Sequence, residues 1–348
     1  MSQHPTHHRE NHRIAVLGAL ALGFALLLVS CKAAVDQSEP AELIEKGWQK
    51  FRLDEQGSAA HFFTSALAKL ADARSKSPET PTEKRLHIQA TYGLGMVWSL
   101  GRHGEDSAKA RGLFAEVIAL EPKGEMAPWA ALAIVRDEHL PVKSTDPIDR
   151  TALREKYQKV LTGYPGTPAA EEAFAFRQSL FLQTLTTEDA RTSLAEMTAY
   201  LKDHPDTRCQ SALYGLISQA NRTLHDDPAA LAASIKALET KEVDPSNPNM
   251  NNIVEYYSIG LTAEYDVGDF ATARVYFNKF LDEYPTDQRA FNVRRELERM
   301  KMIEAAHGDT TVAGELGMRP AGGPGGLPEG SVLTTAPASA PESHKGGQ

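Results

Sequence analysis

Six prolines recur along the 348-residue chain at nearly constant spacing: Pro81, Pro122, Pro165, Pro205, Pro245 and Pro285, at intervals of 41, 43, 40, 40 and 40. Self-similarity at a period of this length marks a repeat architecture, in which one small supersecondary unit is copied along the chain. The segments before the prolines agree with each other. ARGLFAEVIALEP, LREKYQKVLTGYP, SLAEMTAYLKDHP and ARVYFNKFLDEYP each place apolar or aromatic residues at steps of three and four. That is the pattern of an amphipathic helix. In the last segment Ala273, Phe277, Phe280 and Leu281 form the apolar stripe, with Arg274, Lys279, Asp282 and Glu283 on the wet side. Proline removes a backbone donor and pushes the residue before it out of the α region, so each proline is expected to stop the helix it follows. Polar turns come next, with Thr167 or Asp206 placed to cap the following helix.

Forty residues hold two helices and two short turns. The expected fold is therefore all-α, a right-handed solenoid of about six to seven helix-turn-helix repeats over residues 41–307. The longer 43-residue interval is explained by the loop LPVKSTDP, and the Pro245 unit is the weakest copy. Composition agrees, since aromatics make up only 7% of the chain and Ala is frequent along its middle. Such residues favour closely packed helices.

Between Tyr257 and Pro285 the residues resemble the tetratricopeptide repeat. Tyr257, the pair Gly260-Leu261, Gly268, Phe270, Ala273, Phe277 and Pro285 fall at that family's spacings, although Gly and Leu are reversed and Glu264 replaces an aromatic. Leu94-Gly95, Trp98, Ala110, Phe114 and Pro122 repeat much of the pattern. The resemblance implies that small residues let paired helices approach and that aromatics fill the next groove. FLDEYPTDQRA and LTGYPGTPAAEEAF look like the long repeats of bacterial envelope proteins, the BamD-type outer-membrane assembly lipoproteins and the periplasmic coordinators of the Tol-Pal system. From this the envelope class is carried over, without the specific assembly role.

The N-terminus sets an address. Arg9 and Arg13 precede Ile14–Ser30, 17 residues without a charge. This is the plan of a secretory signal, and its length lies at the short edge for spanning a bilayer. Leu28-Val29-Ser30-Cys31 resembles a lipoprotein lipobox. The resemblance implies cleavage after residue 30, acylation of Cys31, and a lipid anchor of palmitate type. Lys32 at the next position looks like outer-membrane delivery facing the periplasm. Residues 31–40 then read as a tether and 308–348 as a Gly/Pro/Ala-rich disordered tail.

Net charge is −9, which excludes nucleic acid as an expected partner. Two cysteines, Cys31 and Cys209, are too few for a disulfide scaffold, and Cys209 reads as a small core residue. No phosphate-binding GxxxxGK[ST], GxSxG elbow or HExxH helix occurs, and the Gly-x-Gly at Gly93 and Gly95 lies inside a helical pattern. Asp137-Glu138-His139 point to different helix faces, and Glu171-Glu172 and Asp226-Asp227 sit at helix starts. Arg294-Arg295-Glu296-Glu298-Arg299 read as the solvated face of a last helix. No enzyme, metal, cofactor or small-molecule substrate is expected.

Binding to other envelope proteins is expected instead, on the surface that paired helices expose. Glu255, Ser258, Thr262, Tyr265 and Asp266 occupy the groove positions of the best repeat, a neutral to acidic set unsuited to clamping a carboxylate. Phe176, Tyr214, Tyr256 and Tyr265 are the aromatic candidates, with Trp129 and Phe174 also in expected first helices. Two alternatives stand beside the outer-membrane scaffold. One is an inner-membrane-anchored periplasmic repeat protein accessory to export or chaperones, and the other is a recruiting arm of a peptidoglycan hydrolase.

Overall fold

A computed structural model describes residues 38–100, 106–139, 148–242 and 251–307. The signal segment, Cys31, the tether, the LPVKSTDP loop, Pro245 and the 308–348 tail lie outside the described residues. Thirteen α-helices and no strand are found among those described. By contact they fall into two units divided between Leu140 and Pro141.

The first unit holds α1 (Pro40–Arg52), α2 (Gln56–Lys76), α3 (Pro81–Leu100), α4 (Ser107–Leu120) and α5 (Met126–His139). Each helix packs on the next, and α1 also meets α3 while α3 meets α5, so the odd-numbered helices form one row. Phe63 of α2 shows how. It is fully buried, and its ring lies between Gly47 of α1 and Gly93 of α3, so close that a Cβ on either would sit 2.7 or 2.5 Å from it. Two residues on, Gly95 receives Phe114 of α4 in the same way, at 2.7 Å. The Gly-x-Gly of α3 is thus a double seat for two aromatic rings.

The second unit holds α6 (Arg150–Gly163), α7 (Pro168–Leu182), α8 (Thr187–Asp203), α9 (Gln210–Thr223), α10 (Asp227–Glu239), α11 (Ile253–Leu261), α12 (Phe270–Glu283) and α13 (Ala290–His307). Consecutive helices again pack together, and α7 reaches past α8 to α9. A π-helical turn, Thr262–Val267, extends α11 and ends at Gly268, whose φ of 78° lies in the left-handed region glycine tolerates. The large cluster around Tyr257, Phe277, Phe280 and Met300 forms the core of its last helices.

Four of the ladder prolines share one approach, though the turn after Pro165 differs from the others in placing Gly166 at a left-handed φ of 73°. Helices α4, α6, α8 and α12 end two residues before Pro122, Pro165, Pro205 and Pro285. The intervening Glu121, Tyr164, His204 and Tyr284 have φ between −150° and −129° and ψ between 52° and 79°, off the α region as a following proline demands. Each proline then occupies the second place of a turn. The amide two residues beyond it (Gly124, Thr167, Thr207, Asp287) donates to the carbonyl just before it at 2.9–3.3 Å. Eight residues ahead of each proline stand Phe114, Tyr157, Met197 and Phe277, all with no exposed surface.

Two sequence expectations need correction. Pro81 does not end a helix. It opens α3, five residues after α2 has stopped at Lys76, where its missing N–H costs nothing. Thr167 caps α7 through a bond from the Ala170 amide, but Asp206 caps nothing, because α9 starts later, with Cys209 as its cap residue.

Candidate functional site

Three helices of the second unit frame an open cleft of about 540 Å³. From α9 it takes Ser211, Gly215, Ser218, Gln219 and Arg222, which recur at steps of three and four and so share one face. The opposite stripe of α9, Leu213, Ile217 and Ala220, is in the core. α10 supplies Ser234, Ala237 and Leu238, and Lys241 lies just beyond its end. α11 contributes Val254, Glu255, Ser258 and Ile259. Gly215 opens the floor, since nothing stands within 4 Å of where its Cβ would be.

The walls are held by short polar contacts. Ser218 and Ser234 hydroxyls share a hydrogen bond at 2.7 Å across α9 and α10, and Ser211 donates to the Ala237 carbonyl at 2.8 Å. Lys241 Nζ is fixed at 2.5 Å to Glu255 and at 2.8 Å to the Asn251 carbonyl. Arg222 differs. It is exposed, its Nη2 donates to Thr262 Oγ1 at 3.4 Å, and among the described residues no carboxylate pairs with it. One wall therefore carries a cation whose charge is not cancelled locally.

Thr262 begins the π-turn, and the turn carries a buried ionic knot. Glu264 has no exposed surface and Glu296 of α13 has 2%. Arg299 joins them, with Nη2 2.5 Å from Glu264 Oε1 and Nε 3.0 Å from Glu296 Oε2. Tyr265 donates to Glu296 Oε2 at 2.6 Å, and the Arg299 guanidinium lies 4.4 Å over its ring. Glu264 Oε2 is buried without a hydrogen-bond partner. Burial lifts the Glu264 carboxyl to about 7 against the opposing pull of Arg299. Burial also raises the Tyr265 phenol, helped by its bond to Glu296. The sequence expectation of a solvated Arg294–Arg299 face is corrected here. Arg294, Arg295 and Glu298 are exposed, but Arg299 turns inward because the buried Glu264 carboxyl needs a partner, and Glu296 is buried with it through its bonds to Arg299 and Tyr265.

The aromatic candidates are scattered, and none of them lines the cleft. Phe176 stacks on Tyr157 at 5.6 Å in the α6–α7 pair. Half-buried Tyr214 packs against the α7–α9 core. Tyr256, 7% exposed, sits in the core beside Tyr276 and donates to Glu283 at 2.8 Å. Tyr265 belongs to the ionic knot. Phe174 is in the core and Trp129 is half-buried. Of the five groove positions read from sequence, Glu255 and Ser258 line the cleft and Thr262 supports Arg222. The cation of Arg222 and the serines of α9 and α10 were missed, though the three-and-four spacing of small polar residues on α9 was there to be read.

Other chemistry-bearing groups have structural partners. Cys209 is half-buried at the start of α9, and burial pushes its thiol up to about 11. Asp137, 6% exposed, takes Arg111 Nη1 at 2.7 Å. Glu171, in the first turn of α7, also receives the Thr207 hydroxyl at 2.7 Å and the Arg208 amide at 3.0 Å. Among the described residues no group of three or more His, Cys, Asp or Glu is placed to hold a metal ion, and no helix is long and apolar enough to cross a membrane.

No family model matches the chain, and no curated protein does. Chains of solved structures do match. One, described as "Assembly Chaperone of RpL4 (Acl4) (Residues 1-338)", is 11% identical, covers 78% of this chain and 100% of its own length, and superposes with a TM-score of 0.46. A likeness that distant leaves the partner and role of this chain to its own residues.

Proposed function

We propose that this chain is a non-catalytic scaffold that holds other proteins, taking an extended polypeptide segment in the cleft between α9, α10 and α11. The observation that carries this reading is the cleft's construction. Its open Gly215 floor admits a backbone, its serines and Gln219 offer donors and acceptors for peptide groups, and Arg222 presents a charge favouring an acidic residue. Nothing in this arrangement aligns a nucleophile with a base, which is the reason for proposing binding without catalysis. The Leu28–Cys31 tetrad supports a setting in the bacterial envelope, anchored through lipid on Cys31 and facing the periplasm at the outer membrane.

Peptide-library selection on the full chain tests the binding role. Selected peptides should be enriched in Asp or Glu and lose roughly tenfold or more in affinity to Gly215→Trp, which fills the floor, and to Arg222→Glu. Peptides that bind both variants as well as the parent would dismiss the cleft. Intact mass of the chain recovered from a bacterial host, beside Cys31→Ala, tests the anchor. A diacyl or triacyl mass lacking residues 1–30 supports it, and a full-length unmodified chain in the inner membrane favours the uncleaved anchor.

A further inference from the structure

Helix α13 is the last described helix, and its two faces are unlike. Ala290, Val293, Glu296 and Met300 point into the unit, each at most 2% exposed. The outer face should be polar, because the end of a repeat array meets water. It instead carries Phe291 at 71% and Met302 at 65% exposure, two of the largest apolar exposures in the described chain. Between them lie Arg295 and Glu298, whose side chains are 56% and 66% exposed. Phe291, Arg295, Glu298 and Met302 follow one another at steps of four, three and four, which confines them to an arc of about 60° on a helix. That spacing is the seam of a helix pair.

The order along the seam is apolar, cation, anion, apolar, and it is complementary to itself when reversed. Two copies of α13 laid antiparallel about a two-fold axis bring Phe291 against the partner's Met302 and Arg295 against the partner's Glu298, each contact made twice. A parallel pairing would instead oppose like charges. The present bonds of the two charges do not obstruct this. Arg295 touches Glu296 at 3.1 Å and Glu298 touches Lys301 at 2.7 Å, both with an exposed member free to rearrange. We propose that α13 is a self-association face, and that its occupant is α13 of a second copy of this chain.

A single helix pair is a small interface, so the dimer should form at micromolar concentrations. Sedimentation velocity of the full chain in mild detergent, from about 1 to about 100 µM, reads this directly. The parent should shift from monomer to dimer across that range. Glu298→Arg should weaken association by roughly tenfold, since it opposes two cations twice. The charge-swapped double variant Arg295→Glu/Glu298→Arg should restore it, and Phe291→Ser/Met302→Ser should abolish it. Unchanged helical circular dichroism confirms that these exposed changes leave the fold intact. A parent that stays monomeric throughout overturns the proposal. So does a dimer indifferent to Glu298→Arg, as one formed through residues 14–30 would be, or a swap that fails to recover association.

Discussion

The ring of Phe277 in α12 lies flush against the α-carbon of Gly260 in α11, and a Cβ there would overlap it. Phe277 has no exposed surface, so the ring cannot swing aside. Gly260→Ala should therefore destabilise the protein by about 1–3 kcal/mol despite alanine's better helix propensity. Gly215, also within a helix but facing open space, should show the opposite sign, with Gly215→Ala stabilising by about 0.5–1 kcal/mol. Denaturant midpoints of the two variants check both. Shifts of opposite sign are required.

That relationship also marks what could be read without coordinates. The proline spacing and the large apolar residue eight places before the proline are local signals, and the helices α4, α6, α8 and α12 obey them. Gly260 and Phe277 were legible because close approach requires a residue without Cβ. The partners of Glu264 were not, because Arg299 stands 35 residues away and only the folded chain brings it to 2.5 Å. Arg294, Arg295, Glu298 and Arg299 look alike as a charged run. Helix periodicity alone does not say which of them a buried carboxylate on another element will recruit. The cleft was half legible for the same reason, since Glu255 and Ser258 belong to one repeat and Arg222 to the one before it.

Glu264 makes stability depend on pH in an unusual direction. Its carboxyl sits at about 7 in the fold and 4.5 as a free group, so between those values the folded chain holds a proton the unfolded chain has lost. Stability from this group is thus full below about 4.5 and falls as pH rises through about 7, by at most about 3 kcal/mol. Glu264→Gln should flatten the profile between pH 5 and 8. Thermal unfolding across that range measures it, and an unchanged slope would refute the assignment.

His87 of the first unit pulls the other way. Burial, helped by Arg74, holds its imidazole below the ordinary value, although Glu79 and Glu116 lie 3.8 and 3.4 Å from its ring nitrogens. The unfolded chain then takes up a proton before the folded one as pH falls, so acidification below about 6.5 weakens the first unit. His87→Gln should remove that loss. Hydrogen exchange of α3 and α12 amides at pH 5.5 and 7.5, corrected for the intrinsic pH dependence of amide exchange, distinguishes the two units, since only α3 should lose protection at the lower value.

Asp137 and Arg111 should respond asymmetrically. Arg111→Met strands a carboxylate that is 6% exposed and should cost about 3 kcal/mol. Asp137→Asn leaves a guanidinium that is 38% exposed and can turn to water, so about 1 kcal/mol is expected. Urea unfolding of both variants settles the order, and a larger loss in Asp137→Asn would contradict it.

Cys209 should be chemically quiet. With its thiol at about 11, the thiolate at pH 8 is scarce, and alkylation of folded Cys31→Ala protein should run about a hundredfold slower than in urea. Iodoacetamide kinetics followed by mass spectrometry provide the measurement.

The recurring turn has a consequence for how such a chain changes length. Tyr164-Pro165 and His204-Pro205 stand at the same joint, 40 residues apart, with near-identical backbone angles before the proline. An in-frame deletion of residues 165–204 joins Tyr164 directly to Pro205 and keeps ring, proline and threonine in their places, with Asp206 where Gly166 stood. Duplication does the reverse. A deletion or duplication with these ends therefore changes the chain by a whole unit without creating a foreign junction, so the number of units is separable from the fold of any one of them.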